Sequence, residues 1–246
     1  MIIQIDHIAF AAPDYERTSQ ILKNLGYQNK FDAKNIDNPK IKKLLMKKFP
    51  RKHNLSLFVK KGSINIECLN HFNSGGTGYI LPIFENSINI GNSSVLELAK
   101  IIKKPIPVCT TKQNNNIIDM SFNKFTINTE NIDESVSFWA NFGFRRKGLY
   151  NGSVVLEFAS LFDNCAYKIL LRKRTNNERH FLDDIGFNCI AFVSSSCKKE
   201  LFFFKKKGIM VTEIENLIIN KKRINLFFVK GPGGELVEVV DFENKN

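Results

Sequence analysis

One interval, repeated three times along the chain, restricts the folds that this sequence can adopt. A glycine follows a strand-like segment after 19 positions in each case: Gly26 after His7, Gly143 after Lys124, and Gly208 after Cys189. Each interval contains an alternating strand pattern, a polar residue, and then apolar residues at helical spacing. In the first, Asp14 is a plausible N-cap for the helix, and the glycine ends the helix. The chain therefore contains a repeated strand–helix module.

Further strand signals follow each of these glycines. They are NLSLFV (54–59) and SINIECL (63–69) after the first, SVVLEFASLF and CAYKILL after the second, and INLFFVKGPGGELVEVVDF (224–242) after the third. In the last segment, GPGG is a tight turn between two strong strands. The repeated unit is therefore one strand, one helix, and two or three antiparallel strands, a βαβββ pattern.

A fourth, degenerate copy is predicted between the first two. ENSINIGNSSVLELAKIIKKP gives a strand, a polar cap and a helix reaching Lys104, and counting back the same interval places Glu85 where His7 stands in the first unit. A competing interpretation takes TGYILPIFE (77–85) as the first strand. We number the four copies units one to four. The predicted domains are residues 1–122 (units one and two) and 123–246 (units three and four).

The composition narrows the class of protein. A chain of 246 residues with 43% hydrophobic content and 22 Phe can bury a large core. The net charge of +12 favours anionic ligands, but the basic residues lie in short clusters such as 40–53, which we interpret as solvated faces. Nucleic-acid motifs are missing, so nucleic acid is an unlikely partner.

The cysteines and the apolar runs bear on the compartment. The five cysteines form no CxxC pair, no secretory signal is visible, and no apolar run reaches the roughly 18 residues of a membrane span. We expect free, mostly buried thiols, no membrane association, and a cytoplasmic location.

These motifs resemble the vicinal oxygen chelate superfamily, which includes glyoxalase I, extradiol dioxygenases and bleomycin-resistance proteins. DHIAFAAPDYERTSQILKNLGY is similar to the opening of that family, and GPGGELVEVVDF is similar to its closing hairpin. The resemblance covers nearly the whole chain, most clearly 3–70 and 124–242. It implies an α+β fold in which tandem βαβββ units form two open, curled, mixed β-barrels with the helices outside. It does not specify the reaction.

The resemblance also implies one divalent metal, held by inward-facing side chains of first and last strands. His7 falls on the first-strand position of unit one and Glu67 on its last-strand position. In unit two, Glu85 and Asp119 are the corresponding candidates. A set of imidazole and carboxylate ligands suits zinc, nickel, iron or manganese. Glu67 or Glu85 would be the general base for a chelated substrate.

The second half departs from this metal pattern. Lys124 and Cys189 occupy the first-strand positions, the last strand of unit three has no acid, and only Glu238 in unit four matches. We therefore expect the barrel of units three and four to have lost its site. One alternative stays open, in which the units pair across the chain and bring His7 and Glu67 to Cys189 and Glu238.

Two functions follow as hypotheses. The first is a metal-dependent lyase, isomerase or dioxygenase acting on a small, oxygenated, anionic metabolite, with Lys60 as an example of a basic residue at the cavity rim. The second is a metal-free, bleomycin-resistance-like protein that binds a ligand in an apolar cavity, although the many Phe are more simply core residues. A monomer or a homodimer is compatible with four units in one chain.

Overall fold

The computed structural model describes residues 1–71, 76–86, 93–104, 106, 108–110, 120–160, 166–174, 179–219 and 221–242. Unit one contains four strands, one α-helix and a 3-10 helix. These are β1 (Ile2–Ala11), α1 (Tyr15–Asn24), β2 (Gln28–Asp37), the 3-10 helix (Lys40–Leu45), β3 (Lys52–Val59) and β4 (Asn65–Asn70).

Among the described residues, unit two has fewer elements than unit one, in line with the predicted degenerate copy. Its described elements are β5 (Ile80–Asn86), α2 (Ser93–Ile102) and β6 (Val108–Thr110). The first strand of unit two, β5, thus overlaps the segment 77–85 and ends one residue after it, which agrees with the competing interpretation.

Units three and four contain the remaining elements. Unit three has β7 (Met120–Thr129), α3 (Ile132–Ala140), β8 (Arg145–Tyr150), β9 (Ser153–Ala159) and β10 (Ala166–Lys173). Unit four has β11 (Gly186–Ser194), α4 (Cys197–Lys206), β12 (Met210–Val211), β13 (Glu215–Ile219), β14 (Lys222–Lys230) and β15 (Leu236–Phe242).

The helix boundaries explain the 19-residue interval. The Asp14 side chain accepts a hydrogen bond from the Arg17 backbone N–H at 3.0 Å, so it is the N-cap of α1. Gly26, Gly143 and Gly208 all have positive φ, at 86°, 92° and 69°. Because side chains disfavour this conformation, glycine is the residue that lets the chain leave each helix and enter the next strand.

The first strands decide how the units pair. β1 lies antiparallel to β11, and β5 lies antiparallel to β7. Unit one therefore pairs with unit four, and unit two pairs with unit three. This is the cross-chain pairing that the sequence left open, rather than the grouping of unit one with unit two. The division of the chain after residue 122 stays a prediction.

Within each unit, the first and last strands lie side by side and run parallel. This holds for β1 with β4, β5 with β6, β7 with β10, and β11 with β15. The result is the predicted α+β fold of curled mixed sheets. We call the pair of units one and four the first barrel, and the pair of units two and three the second barrel.

The core is rich in phenylalanine. Apart from Trp139, all the largest fully buried side chains are Phe. Phe142 of unit three stacks on Phe192 and Phe204 of unit four, with ring centroids 5.0 and 5.1 Å apart, so aromatic packing joins the two barrels. Most of the 22 Phe are thus accounted for by packing. Among the described helices, none has the length and apolar character to cross a membrane.

Candidate metal centre

Three acid–base side chains meet inside the first barrel, and the strand register explains why. His7 of β1 is opposite Ala191 of β11, and Ala191 is opposite Glu238 of β15. Ala9 of β1 is opposite Glu67 of β4. Opposed residues project to the same face of a sheet, and so do residues two apart on one strand. Because Ala9 and Ala191 are small, they leave space on this face of the sheet for the side chains of His7, Glu67 and Glu238.

The three side chains are close together and buried. Nε2 of His7 lies 3.4 Å from Oε2 of Glu67 and 3.8 Å from Oε2 of Glu238. One ligand atom from each of the three residues lies within 4.8 Å of the others. We call His7, Glu67 and Glu238 the acidic cluster.

A second carboxylate orients the imidazole of His7. Nδ1 of His7 donates to Oδ2 of Asp6 at 2.8 Å, which directs Nε2 towards the two glutamates. Nε2 of His7 and Oε2 of Glu67 are buried and have no hydrogen-bond partner, because their 3.4 Å contact lacks hydrogen-bond geometry. A carboxylate behind a histidine is the usual outer-shell arrangement of a metal-binding imidazole.

Burial and charge compete in the protonation of the acidic cluster. Burial would lower the pKa of His7, but the negative charges of Glu67 and Asp6 raise that pKa well above its ordinary value. Burial opposes ionisation of Glu67, yet the charge of His7 lowers the pKa of Glu67 to about 2. Burial raises the pKa of Glu238. In the metal-free protein, the contact between His7 and Glu67 is therefore an ion pair.

The donor set fits a divalent metal. One imidazole nitrogen and two carboxylate oxygens suit zinc, nickel, iron or manganese. Metal–ligand bonds of about 2.1 Å place neighbouring ligand atoms about 3 to 3.5 Å apart, close to the separations of Nε2 from the two glutamates. The unpartnered Nε2 of His7 and Oε2 of Glu67 are the atoms that a metal would satisfy.

Two cavities adjoin the acidic cluster, and both are bordered by Glu67 and Glu238. One has a volume of about 310 Å³ and is lined also by His7, Phe31 and Phe242. The other has a volume of about 550 Å³ and is lined also by Lys42 and His53. Both volumes lie in the range of small-molecule sites.

Cys189 occupies the position in unit four that His7 occupies in unit one. His7 is opposite Ala191, two residues after Cys189, and Cys189 is opposite Ala9, two residues after His7. It is buried, and burial together with the charge of Glu238 raises the pKa of its thiol. Its sulfur is not among the ligand atoms that meet in the acidic cluster, so Cys189 is better explained as part of the core. Cys68, Cys189 and Cys197 are all free and buried, in agreement with the prediction for the thiols.

The strand register gives unit two a different residue from the one predicted. Leu81 is opposite Thr126, and Ile83 is opposite Lys124, so Leu81 stands at the position equivalent to His7. Glu85 lies four residues further along β5, opposite Ser121. The side chain of Glu85 and the whole of Asp119 lie outside the described residues, so their roles as ligands stay predictions. The register of β5 does not favour Glu85, because it places this residue away from the position equivalent to His7.

Other residues were missed or placed differently. Lys60 donates from Nζ to the Leu25 carbonyl at 2.9 Å and lines neither cavity; it borders a surface depression that shares Lys30 with the smaller cavity. Lys42 and His53 belong to the basic cluster 40–53, interpreted from sequence as a solvated face, yet both are buried. Asp6 was missed although it is adjacent to His7 in the sequence, which was the available signal.

Solved structures share this fold. A "putative dioxygenase" from Bacillus subtilis matches with a TM-score of 0.65 at 15% identity, over 99% of this chain and 86% of that protein. Glyoxalase I from Zea mays matches with a TM-score of 0.58 at 14% identity, over 97% of this chain and 92% of that protein. This chain shares the glyoxalase-like fold of these proteins. Neither a family model nor a curated protein matches the sequence.

Proposed function

We propose that this chain is a divalent-metal-dependent lyase, isomerase or dioxygenase that acts on a small, oxygenated metabolite in the first barrel. His7, Glu67 and Glu238 would hold the metal. The observation that carries the proposal is the buried group of one imidazole and two carboxylates, with two unpartnered ligand atoms, beside a cavity. The shared fold supports the superfamily but does not select the reaction.

When bound, the metal would polarise a substrate oxygen as a Lewis acid or, if it is iron, activate oxygen. The protein's own residues would do the rest. Asp6 would hold the tautomer and orientation of His7 through Nδ1. Of the two glutamates, Glu238 would be the better proton acceptor, because burial raises its pKa, whereas the charge of His7 lowers the pKa of Glu67 to about 2. The apolar walls of the smaller cavity, including Phe31 and Phe242, would limit access of water.

A metal-free binding protein is the second candidate, and one specific observation favours it. A protonated His7, held between Asp6 and Glu67, supplies a cation to the cluster without any metal. In that case the two cavities would bind a ligand without turnover. The free, buried thiols fit a reducing compartment, so we propose the cytoplasm as the location. The monomer or homodimer stays a prediction.

Metal content of the purified protein distinguishes the two candidates. The protein is exposed to zinc, nickel, iron and manganese, dialysed, and assayed by plasma mass spectrometry together with the His7→Ala and Glu67→Gln variants. The matched control is Lys124→Ala, at the equivalent position of the second barrel. We expect near-stoichiometric metal in the wild type and in the control, and loss in the other two variants.

A positive result justifies an activity screen with hemithioacetals, 2-oxoacids and catechols on the metal-loaded protein. A protein that binds none of the four metals would contradict the enzyme proposal and favour the metal-free candidate.

A further inference from the structure

The larger cavity beside the acidic cluster contains an ammonium group without a partner. Lys42 is only 5% exposed and lines the cavity with Glu67 and Glu238. Among the residues that the structure describes, its Nζ forms no ion pair within 4.0 Å and no hydrogen bond. Its nearest aromatic contact is the ring of Phe228, with the centroid 5.7 Å away. A buried ammonium with so few contacts is costly unless something else satisfies it.

His53 lines the same cavity and is equally unsatisfied. It is 1% exposed, and neither of its ring nitrogens has a hydrogen-bond partner. Burial and the nearby charge of Lys42 lower the pKa of His53 to about 3, so the ring is neutral at physiological pH and offers one N–H donor. The cavity thus presents a cation and a neutral donor next to the acidic cluster, and within the described part of the chain neither has a hydrogen-bond or ion-pair partner. The charge of Lys42 acts on Glu67 and Glu238 only from beyond 4.0 Å.

The segment that carries Lys42 is fixed at both ends by acidic residues of the second half of the chain. The backbone N–H groups of Lys40 and Ile41 donate to the carboxylate of Glu215 at 3.1 and 3.0 Å. The backbone N–H groups of Lys47 and Lys48 donate to Asp183 at 2.8 and 2.9 Å. Lys42 is therefore held in place before any ligand arrives, which is the condition for a specific site rather than a mobile surface lysine.

The lysines near the smaller cavity differ in this respect. Lys30 and Lys222 border that cavity but are exposed to solvent, so water satisfies their charges. Of these lysines, only Lys42 combines burial with a position facing a cavity that reaches the acidic cluster.

We propose that Lys42 and His53 form a subsite for an anionic group, a carboxylate or a phosphoryl group, at one end of a substrate whose oxygens reach the acidic cluster. This inference deepens the proposed function. The contact of the substrate oxygens with the acidic cluster rests on that function, whereas the binding of an anion by Lys42 and His53 does not. It assigns the substrate class as a small oxygenated acid or phosphate ester. The anion would supply the partners that Lys Nζ and the imidazole N–H lack.

The test compares two ligands that differ in one group. Butyrohydroxamate and succinic monohydroxamate share a chelating head and a chain length, but a carboxylate replaces the terminal methyl in the second. Their dissociation constants are measured by calorimetry on the zinc-loaded protein. A third ligand with a terminal phosphonate distinguishes the carboxylate from the phosphoryl group. The variants are Lys42→Met, Lys42→Arg and His53→Gln, with Lys60→Met as the control.

We expect the wild type and Lys60→Met to bind one anionic hydroxamate at least ten-fold more tightly than butyrohydroxamate. Lys42→Met should lose this preference while keeping its affinity for butyrohydroxamate, Lys42→Arg should keep part of it, and His53→Gln should lose less than Lys42→Met. Equal affinities for all three ligands in the wild type, or a preference that survives in Lys42→Met, would overturn the subsite.

A measurement on the metal-free protein separates this inference from the proposed function. Titration with succinate and with inorganic phosphate is followed by the histidine ring signals in NMR spectra. Shifts of the His53 signals that are lost in Lys42→Met support the subsite even if the protein binds no metal. A protein that binds metal but shows neither these shifts nor the hydroxamate preference would keep the proposed function and lose the subsite.

Discussion

The two barrels share one topology but differ in what fills the equivalent positions. In the first barrel, the first-strand position of unit one holds His7, and the last-strand positions of units one and four hold Glu67 and Glu238. In unit three of the second barrel, the corresponding residues are Lys124 on β7 and Leu170 on β10, opposite Thr126. Leu170 is 3% exposed, so a buried leucine replaces a buried glutamate.

This difference is the reason why we assign the proposed site to the first barrel. Buried polar atoms without hydrogen bonds occur in both barrels, at Thr126 and Trp139 of unit three for example, but those of His7 and Glu67 belong to a cluster of potential metal ligands beside a cavity. In the second barrel, the equivalent last-strand position of unit three is apolar, and α3 and the turn after it contribute Trp139 and Phe142 to the aromatic core. We therefore expect substitutions in the first barrel to change binding, and substitutions at the matched positions of the second barrel to change stability.

The largest effect is expected from an acid placed at the matched position of the second barrel. Leu170→Glu should lower the free energy of unfolding by about 3 to 5 kcal/mol, because a carboxyl group that must lose its hydration replaces a leucine packed in the core. Chemical denaturation measures this value. Leu170→Met, which keeps the volume, should cost less than about 1.5 kcal/mol. The contrast fails if Leu170→Glu folds with wild-type stability or gains a second equivalent of metal.

A smaller effect is expected from the residue that orients His7. Asp6→Asn should weaken metal binding by roughly 10- to 100-fold, because the outer carboxylate fixes the tautomer of the ligand imidazole. Competition with a chromogenic chelator measures the affinity. Asp14→Asn is the control. Asp14 lies after the C-terminal end of β1, where it caps α1, and asparagine preserves that cap. Equal affinities for Asp6→Asn and the wild type would show that Asp6 has no such role.

The affinity for metal should also depend on pH. Because the pKa of His7 is raised, the imidazole is protonated in the metal-free protein at neutral pH, and binding must release that proton. The affinity should rise by about ten-fold for each pH unit between roughly pH 6 and 7 and level off above the pKa of His7. Calorimetry in two buffers of different ionisation enthalpy counts the protons released. A count of zero would mean that His7 is neutral or is not a ligand.

A further prediction concerns the stability of the protein in acid, where the effect accumulates with each pH unit. Burial and the charge of Lys42 lower the pKa of both His53 and His71 to about 3. Below the unfolded value of about 6.5, the unfolded chain therefore binds protons that the folded chain excludes, and stability falls as the pH decreases from 6.5 towards 3. The slope is at most about 1.4 kcal/mol per pH unit for each histidine.

Replacing one of these histidines tests that slope. Between pH 7 and pH 5, His71→Leu and His180→Leu should each remove about one third of the slope that His53, His71 and His180 contribute together in urea unfolding. The reason is that their folded pKa values, about 3 for His53 and His71 and about 4 for His180, all lie below this range. An unchanged slope in His71→Leu would assign the acid sensitivity to other groups.

Sequence patterns were sufficient for the repeated unit and for two of the three cluster residues. The strand, cap, helix and glycine of each unit are local features, so the 19-residue interval predicts them, and His7 and Glu67 lie within one such unit. Glu238 was placed only as an alternative, because the contact of β1 with β11 joins residues about 180 positions apart and no local signal sets it.

The burial of Lys42 and the register of Glu85 were difficult to predict for similar physical reasons. A basic cluster at 40–53 looks solvated in sequence, but the hydrogen bonds from residues 40, 41, 47 and 48 to distant carboxylates draw Lys42 inside. The position of Glu85 depended on a helix without a terminal glycine, and a shift of register along β5 places Leu81 at the equivalent site.

The most direct test of the central idea, a metal site built by units one and four, is the metal content of Glu238→Gln beside Glu85→Gln. Both variants are loaded with the metal that the wild type prefers and assayed by plasma mass spectrometry, with circular dichroism as the check of folding. The cross-chain site predicts that Glu238→Gln loses most of its metal and that Glu85→Gln retains it. Full metal in Glu238→Gln together with loss in Glu85→Gln would contradict the account and place the site within the first half of the chain.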